Sequence, residues 1–144
     1  MLSEIANLHK LCFPDAPWSA DEFANLQRGG AQVIASENGF IVWRSSGAET
    51  EIITIGVAPN ARGAGIATAL LHLMEREITS TNHEHESQKI FLEVAADNTA
   101  ARRMYKKNGY QIIGTRSKYY NGKTDAVVME KVLQYKTTPL PSLH

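Results

Sequence analysis

The residues best suited to chemistry lie in a glycine-rich run, Arg62-Gly63-Ala64-Gly65-Ile66-Ala67-Thr68. It follows an apolar, β-branched stretch, Ile52 to Val57, long enough for one buried strand. Pro59 and Asn60 stop that strand. Beyond the glycines, Ile66, Leu70, Leu73, Met74 and Ile78 fall on one face of a helix. Small residues at a helix start leave its free backbone N–H groups open, and with the positive end of the helix dipole these suit a phosphate. Three readings fit the run. It is a turn whose glycines only permit tight packing. Or it is a dinucleotide fingerprint, since Gly63-Ala64-Gly65 reads G-x-G, with Thr68 in place of the third glycine. Or it is a pyrophosphate loop of the pattern Arg/Gln-x-x-Gly-x-Gly/Ala, met by Arg62, Gly65 and Ala67. A Walker loop is excluded, because no G-x-x-x-x-G-K-[ST] run exists.

A second set lies downstream. Lys89 to Ala95 reads as a strand with Ile90, Leu92 and Val94 on one face and Phe91, Glu93 and Ala95 on the other. Glu93 interrupts that apolar run. It is either a proton acceptor or a carboxylate bonded to backbone, and spacing leaves both open. In the helix that follows, Ala101, Met104, Tyr105 and Asn108 share a face. Position alone makes Tyr105 an aromatic core residue. His83 and His85 with Glu84 and Glu86 invite a metal reading, but their spacing matches no helical zinc pair, which favours a solvated connector over 79–88.

These residues need a scaffold. A chain of 144 residues fits one domain, here 1–134, with a loose tail at 135–144. Residues 2 to 12 read as a helix, and Phe13-Pro14-Asp15-Ala16-Pro17-Trp18 as a loop broken by two prolines. Ser19 caps a second helix to about residue 28, with Glu22 completing a capping box. Residues 31–36 and 40–44 are strand-like around an Asn38-Gly39 hairpin turn. Asn98 caps a helix running to about Asn108, Gly109 follows as its C′ residue, and strands near 110–117 and 125–132 close the chain through Asn121-Gly122. The expected fold is α/β (α+β): a mixed, mostly antiparallel sheet flanked by helices.

Composition narrows the function classes. Lysine plus arginine equals aspartate plus glutamate at 15 each, which implies no broad basic surface for nucleic acid. No apolar run approaches membrane-spanning length and no signal peptide is evident. Cys12 is the only cysteine, which excludes an internal disulfide and points to a reduced, cytoplasmic setting. As a lone cysteine it reads as a small core residue.

The stretch from Phe91 to Tyr110, Leu92-Glu93-Val94 followed by Asn98-x-x-Ala101-x-x-x-Tyr105-x-x-x-Gly109-Tyr110, resembles the second motif of the GNAT family of N-acetyltransferases. Arg62 to Ala67 resembles the acetyl-CoA loop of the same family, and the two motifs stand in the family's order. Within it, the resemblance is closest to the bacterial ribosomal-protein-alanine N-acetyltransferases. It extends to Phe13-Pro14, to Trp18-Ser19 and to Tyr119-Tyr120. The family's Phe-Pro-Trp-Ser is split here by Asp15-Ala16-Pro17. The family also begins with a strand, whereas this chain opens on a helix, so the first edge strand is expected to be missing or to lie before the chain start.

The resemblance implies an amine attacking the thioester of acetyl-CoA, without a metal. It implies a central strand that bulges and splays from its neighbour, with Ile55, Gly56 and Val57 along the thioester and Gly56 suited to the bulge. The Val57 N–H is the implied oxyanion donor. The N–H groups of Gly63, Ala64, Gly65, Ile66, Ala67 and Thr68 would hold the pyrophosphate, and Asn98 the pantetheine arm. Glu93 matches the proton acceptor and Tyr105 the proton donor; partial burial makes a carboxylate a stronger base. Glu51 is a possible second base or acceptor contact, against an exposed strand-end carboxylate. Phe13, Trp18, Tyr119 and Tyr120 would wall an acceptor groove. The implied acceptor is a protein N-terminal α-amine, down to the alanine terminus of a small-subunit ribosomal protein. A lysine or small-molecule amine, and a non-catalytic acetyl-CoA sensor, are the alternatives.

Overall fold

The computed structural model describes residues 2–81, 87–120 and 124–134. The chain opens with two helices, α1 (Leu2–Cys12) and α2 (Ala20–Arg28). Three strands follow, β1 (Gln32–Ser36), β2 (Gly39–Ser46) and β3 (Glu49–Val57). A single 3-10 turn, Pro59–Ala61, precedes α3 (Ile66–Thr81). Then come β4 (Ser87–Ala95), α4 (Thr99–Lys107), β5 (Gln111–Tyr120) and β6 (Thr124–Gln134). The strands form one sheet in the order β1-β2-β3-β4-β6-β5, antiparallel throughout except for β3 beside β4. Among the described residues no strand precedes α1, so the sheet edge falls to β1.

Local chemistry accounts for the element ends. The Ser19 hydroxyl accepts from the Glu22 N–H at 3.2 Å and starts α2. The Asn98 side chain does the same for Ala101 at 3.1 Å and starts α4. The Gly109 N–H returns to the Lys106 carbonyl at the far end of α4. Asn38 and Gly39 make the β1–β2 turn.

Alternation along the strands divides the core into two layers. Ile41 and Trp43 of β2, Ile90, Leu92 and Val94 of β4, and Val127 and Met129 of β6 face α3 and α4. Phe40 and Val42 face α1 and α2, with Ile5 and Phe23. The face of α3 differs from the sequence expectation. Leu70, Met74 and Ile78 are buried, but Leu73 is 45 % exposed and Leu71 takes its place in the core. At 3.6 residues per turn, Leu73 sits on the flank of the stripe centred on Leu71, Met74 and Ile78. The connector expected over 79–88 is also shorter, because α3 runs to Thr81 and β4 begins at Ser87. The Ser87 end is fixed by Gln88, fully buried, which donates to the Gly47 carbonyl at 2.7 Å and accepts from the Thr50 hydroxyl at 2.9 Å. The His83–Glu86 loop, the Asn121-Gly122 turn and the tail from 135 lie outside the described residues.

A buried polar cluster fastens α3 to the far strands. Glu75 accepts from the Tyr110 hydroxyl at 3.1 Å and from the Lys131 ammonium at 2.8 Å. Burial, with the Glu75 charge next, pushes the Tyr110 phenol far above its ordinary range, so it stays a donor. An unpaired carboxylate at this depth would be strongly unfavourable, so the three groups hold the helix in register with β6.

Candidate active site

The central strand parts from its neighbour. β3 pairs with β4 only at Glu49–Lys89, Thr50–Ile90 and Glu51–Phe91. Beyond these pairs β3 continues beside β2 to Val57, and β4 continues beside β6 to Ala95. The result is a gap open to both faces of the sheet. The expected bulge is present but displaced: Val42 faces Thr54 while Trp43 faces Ile52, leaving Ile53 as the extra residue. Gly56 is regular strand. Glycine is needed there for space, since a Cβ would come within 2.8 Å of the Phe40 ring and 2.9 Å of Cys12 Sγ.

Register also sets where the β3 backbone points. The Ala58 N–H donates to the Asn38 carbonyl at 2.8 Å. The ladder alternation then turns the Gly56 amide groups towards β2 and those of Ile55 and Val57 away from it, into the gap. The Val57 carbonyl accepts from Arg62 Nε at 3.1 Å and from Cys12 Sγ at 3.3 Å. Two donors, one five residues on and one 45 residues back, therefore hold the last peptide of β3.

Along the gap runs a cleft of about 530 Å³. Ile55, Gly56 and Val57 form its strand side. Arg62, Gly63, Gly65, Ile66, Ala67 and Thr68 form its loop side, and Asn98 and Tyr105 the α4 side. Phe13 stands at the α1 end. Gly63 and Gly65 have φ of +87° and +79°, a left-handed backbone that other residues adopt only at a cost. These two turns bring the first N–H groups of α3 to the cleft, where a helix start has no intrahelical acceptors. Asn108 ties the two helical walls together, donating to the Met104 carbonyl at 2.8 Å and to the Thr68 hydroxyl at 3.4 Å.

Five lining residues were not assigned to the site from sequence: Cys12, Ala61, Ala100, Ala101 and Met104. Those of α4 follow one helical face from Asn98, a signal readable once the cap is placed. Cys12 is half-buried and gave no such signal beyond its position before Phe13.

Other expected residues stand elsewhere. Ala64 does not line the cleft. Glu51 is exposed at the last paired position of β3, the strand-end placement. Trp18 lines a separate, shallower groove with Glu22, Asn25, Leu26, Arg44 and Ile53. Tyr119 and Tyr120 end β5, and their side chains lie outside the described residues. Tyr105 is 4 % exposed, its ring edge-on to Tyr110 at 5.7 Å.

Glu93 lies two positions past the last β3–β4 pair, opposite Val128. Its alternation places it on the α1–α2 face of the sheet, whereas Tyr105 packs with the α3–α4 layer. The two thus lie on opposite faces of the sheet, and of them Tyr105 lines the cleft while Glu93 does not. Glu93 meets a cation: its carboxylate lies 2.9 Å from the guanidinium of Arg116 on β5, with side chains 25 % and 57 % exposed. Sequence gave no sign of that partner.

Comparison with known proteins agrees with this architecture. Residues 2–110 match the model of the acetyltransferase (GNAT) family. The N-alpha-acetyltransferase RimI of Mycobacterium tuberculosis is 37 % identical over 84 residues, which cover 58 % of this chain and 49 % of that protein. The chain spans about half the length of the curated relatives it matches. The fold of the Escherichia coli ribosomal-protein-alanine N-acetyltransferase superposes with a TM-score of 0.81 at 23 % identity, covering 96 % of this chain and 92 % of that one. Arabidopsis thaliana Naa50, solved with a bisubstrate analogue, gives 0.72 at 27 % identity, covering 90 % and 91 %. With the splayed strands, the glycine loop at a helix start and the family match over residues 2–110, this chain belongs to the acetyltransferase (GNAT) family.

Proposed function

We propose that this protein is an acetyl-CoA-dependent N-acetyltransferase whose acceptor is a protein N-terminal α-amine. The observation that carries the reading is the gap between β3 and β4. It is lined on one edge by outward-turned N–H groups of Ile55 and Val57 and capped by the start of α3. Acetyl-CoA supplies the activated acetyl group as a thioester. The N–H groups from Gly63 to Thr68 offer its pyrophosphate a concentrated set of donors. The Asn98 Oδ1 is committed to its cap, which leaves its amide N–H groups for the pantetheine arm.

The chain's own groups then divide the chemistry. The Val57 N–H meets the carbonyl oxygen as it gains negative charge; the β2–β3 ladder orients its peptide, and the bonds to the Val57 carbonyl hold the peptide that follows. Glu93, on the acceptor face, takes a proton from the attacking amine through a water. Tyr105, on the opposite face, gives a proton to the departing thiolate. Arg116 holds the Glu93 carboxylate in place.

The choice of an α-amine rests on proton economy. An α-amine has a pKa of about 8 and a lysine amine about 10.4, so near neutral pH roughly a tenth of the first is neutral and well under a hundredth of the second. A single carboxylate already paired with arginine is adequate for the former. RimI-like relatives support the N-terminal reading, and within it the specific acceptor we propose is the alanine terminus of a small-subunit ribosomal protein. The test is a competition between an alanine-ended peptide and the same peptide with a blocked terminus and a free lysine, the acetyl group located by mass spectrometry. Label on the α-amine is expected. Preferential label on lysine overturns the acceptor assignment, and tight acetyl-CoA binding without thiol release across an amine panel favours a sensor.

A further inference from the structure

His9 is unusual for a histidine on an amphipathic helix: it is 3 % exposed. Its ring lies among four aromatics, with Trp18 stacked at 4.6 Å, Phe13 at 4.7 Å, Phe23 edge-on at 5.6 Å and Phe40 at 5.8 Å. Two hydrogen bonds join it to the loop between α1 and α2. The Phe13 N–H donates to the His9 carbonyl at 2.7 Å, and the Trp18 N–H donates to His9 Nδ1 at 3.1 Å. A backbone N–H can only donate, so Nδ1 is the acceptor and the proton of the neutral ring sits on Nε2. The Phe13 bond is the i→i−4 backbone bond that continues α1, so the His9 side chain itself clasps the loop through the Trp18 N–H and the Phe13 and Trp18 rings, on either side of Pro14 and Pro17. Phe13 lines the cleft and Trp18 the separate groove, so the two ends of this loop face different cavities.

We propose that His9 is a positioning residue for acceptor recognition, holding the Phe13–Trp18 loop as a fixed aromatic wall at the α1 end of the cleft. The inference rests on the acetyltransferase reading of that cleft. Phe13 is the only one of the four aromatics that lines the cleft, and nothing in the loop itself fixes its ring: the Ala16 N–H bond to the Phe13 carbonyl at 3.2 Å closes only the loop's first turn. Trp18 is fixed through His9 Nδ1 and through ring contacts with His9 and Phe23. Burial lowers the His9 pKa to about 4, so the lone pair of Nδ1 remains available wherever an amine can be acetylated. Among the hydrogen bonds of the described residues none joins the glycine loop or α4 to this clasp, so its loss should be felt by the acceptor and not by acetyl-CoA.

The experiment is steady-state kinetics on wild type, His9→Phe and His9→Asn with an α-amine peptide. His9→Phe keeps an aromatic ring and loses the acceptor; His9→Asn places an oxygen near the former Nδ1 and loses the ring. Expected is a rise in acceptor KM on the order of tenfold for His9→Phe, acetyl-CoA KM within twofold, and partial recovery in His9→Asn. An unchanged acceptor KM in His9→Phe overturns the inference, as does an equal rise in both KM values. A measurement on wild type guards against variants that fail to fold: the His9 ring nitrogen resonances should report the Nε2–H tautomer and shift when acceptor peptide joins the CoA complex. Silence of those resonances at saturating peptide also overturns it. Wild type that transfers acetyl to no amine overturns the reading of the cleft itself, a result distinct from active wild type with an indifferent His9.

Discussion

The two ends of the cleft are built from different materials. At the α3 end the functional groups are backbone N–H donors, presented by Gly63, Gly65 and the first turn of the helix. At the α1 end the lining is side chain, Phe13 against the His9 ring, and the proposed base Glu93 stands with Arg116 outside the cleft lining. A backbone site tolerates many side chains but depends on φ, so it is marked by glycines and small residues in sequence. A side-chain site depends on identities drawn from distant elements, and its members carry no shared local mark. In the proposed reading the first kind binds a constant ligand and the second a variable one.

The sharpest way to break the contrast is at the backbone end. Gly65→Glu forces a side chain onto a φ of +79° and adds negative charge beside the proposed pyrophosphate. Acetyl-CoA should raise the melting temperature of wild type by mass action and leave that of the folded variant unmoved, an affinity loss on the order of a hundredfold or more. A preserved shift would remove the loop from the site.

Next come the side chains on the two faces of the gap. Glu93→Gln and Tyr105→Phe should each lower turnover on the order of a hundredfold, about 2.7 kcal/mol of barrier, while acetyl-CoA affinity measured by calorimetry stays within a few-fold. Wild-type rates in both variants across the pH range would undo the acid–base assignment. Loss of acetyl-CoA binding would move them into the backbone site's sphere.

The His9 clasp gives a smaller effect with a definite sign. The folded state keeps His9 neutral down to about pH 4, whereas the unfolded chain protonates it near 6.5. Acid therefore favours the unfolded chain, and between pH 7 and 5 stability should fall by about 2 kcal/mol on this account. Urea titrations of wild type and His9→Asn at both pH values isolate the contribution, since carboxylates are common to the two proteins. Equal pH dependence in both would show that His9 is protonated as readily folded as unfolded.

The Glu93–Arg116 pair should matter least to stability. With Arg116 more than half exposed, Arg116→Ala is expected to cost less than about 1 kcal/mol in a denaturant titration. Its larger effect should be on turnover, through a Glu93 carboxylate that has lost the neighbouring guanidinium charge. A loss of several kcal/mol would place the pair in the core of the fold instead.

Sequence by itself determined what depends on near neighbours. The Ser19 and Asn98 caps, the Asn38-Gly39 turn, the alternation that buries Ile90, Leu92 and Val94, and the strand–glycine–helix order all arise from contacts within a few residues. Each is therefore written in a short window of residue types. Tertiary structure alone decided the rest. It placed the bulge at Ile53, and it demanded glycine at 56 because Phe40 and Cys12, on other elements, leave no room for a Cβ there. It chose Leu71 over Leu73 for the core, because the sheet beneath α3 fixes the centre of the buried stripe. It joined Cys12 to Val57 across 45 residues, set Arg116 against Glu93, and packed the His9 ring against Phe23 and Phe40. Contacts of that range have no period or spacing in the chain; they exist only once β2, β3 and β4 have fixed where the helices lie.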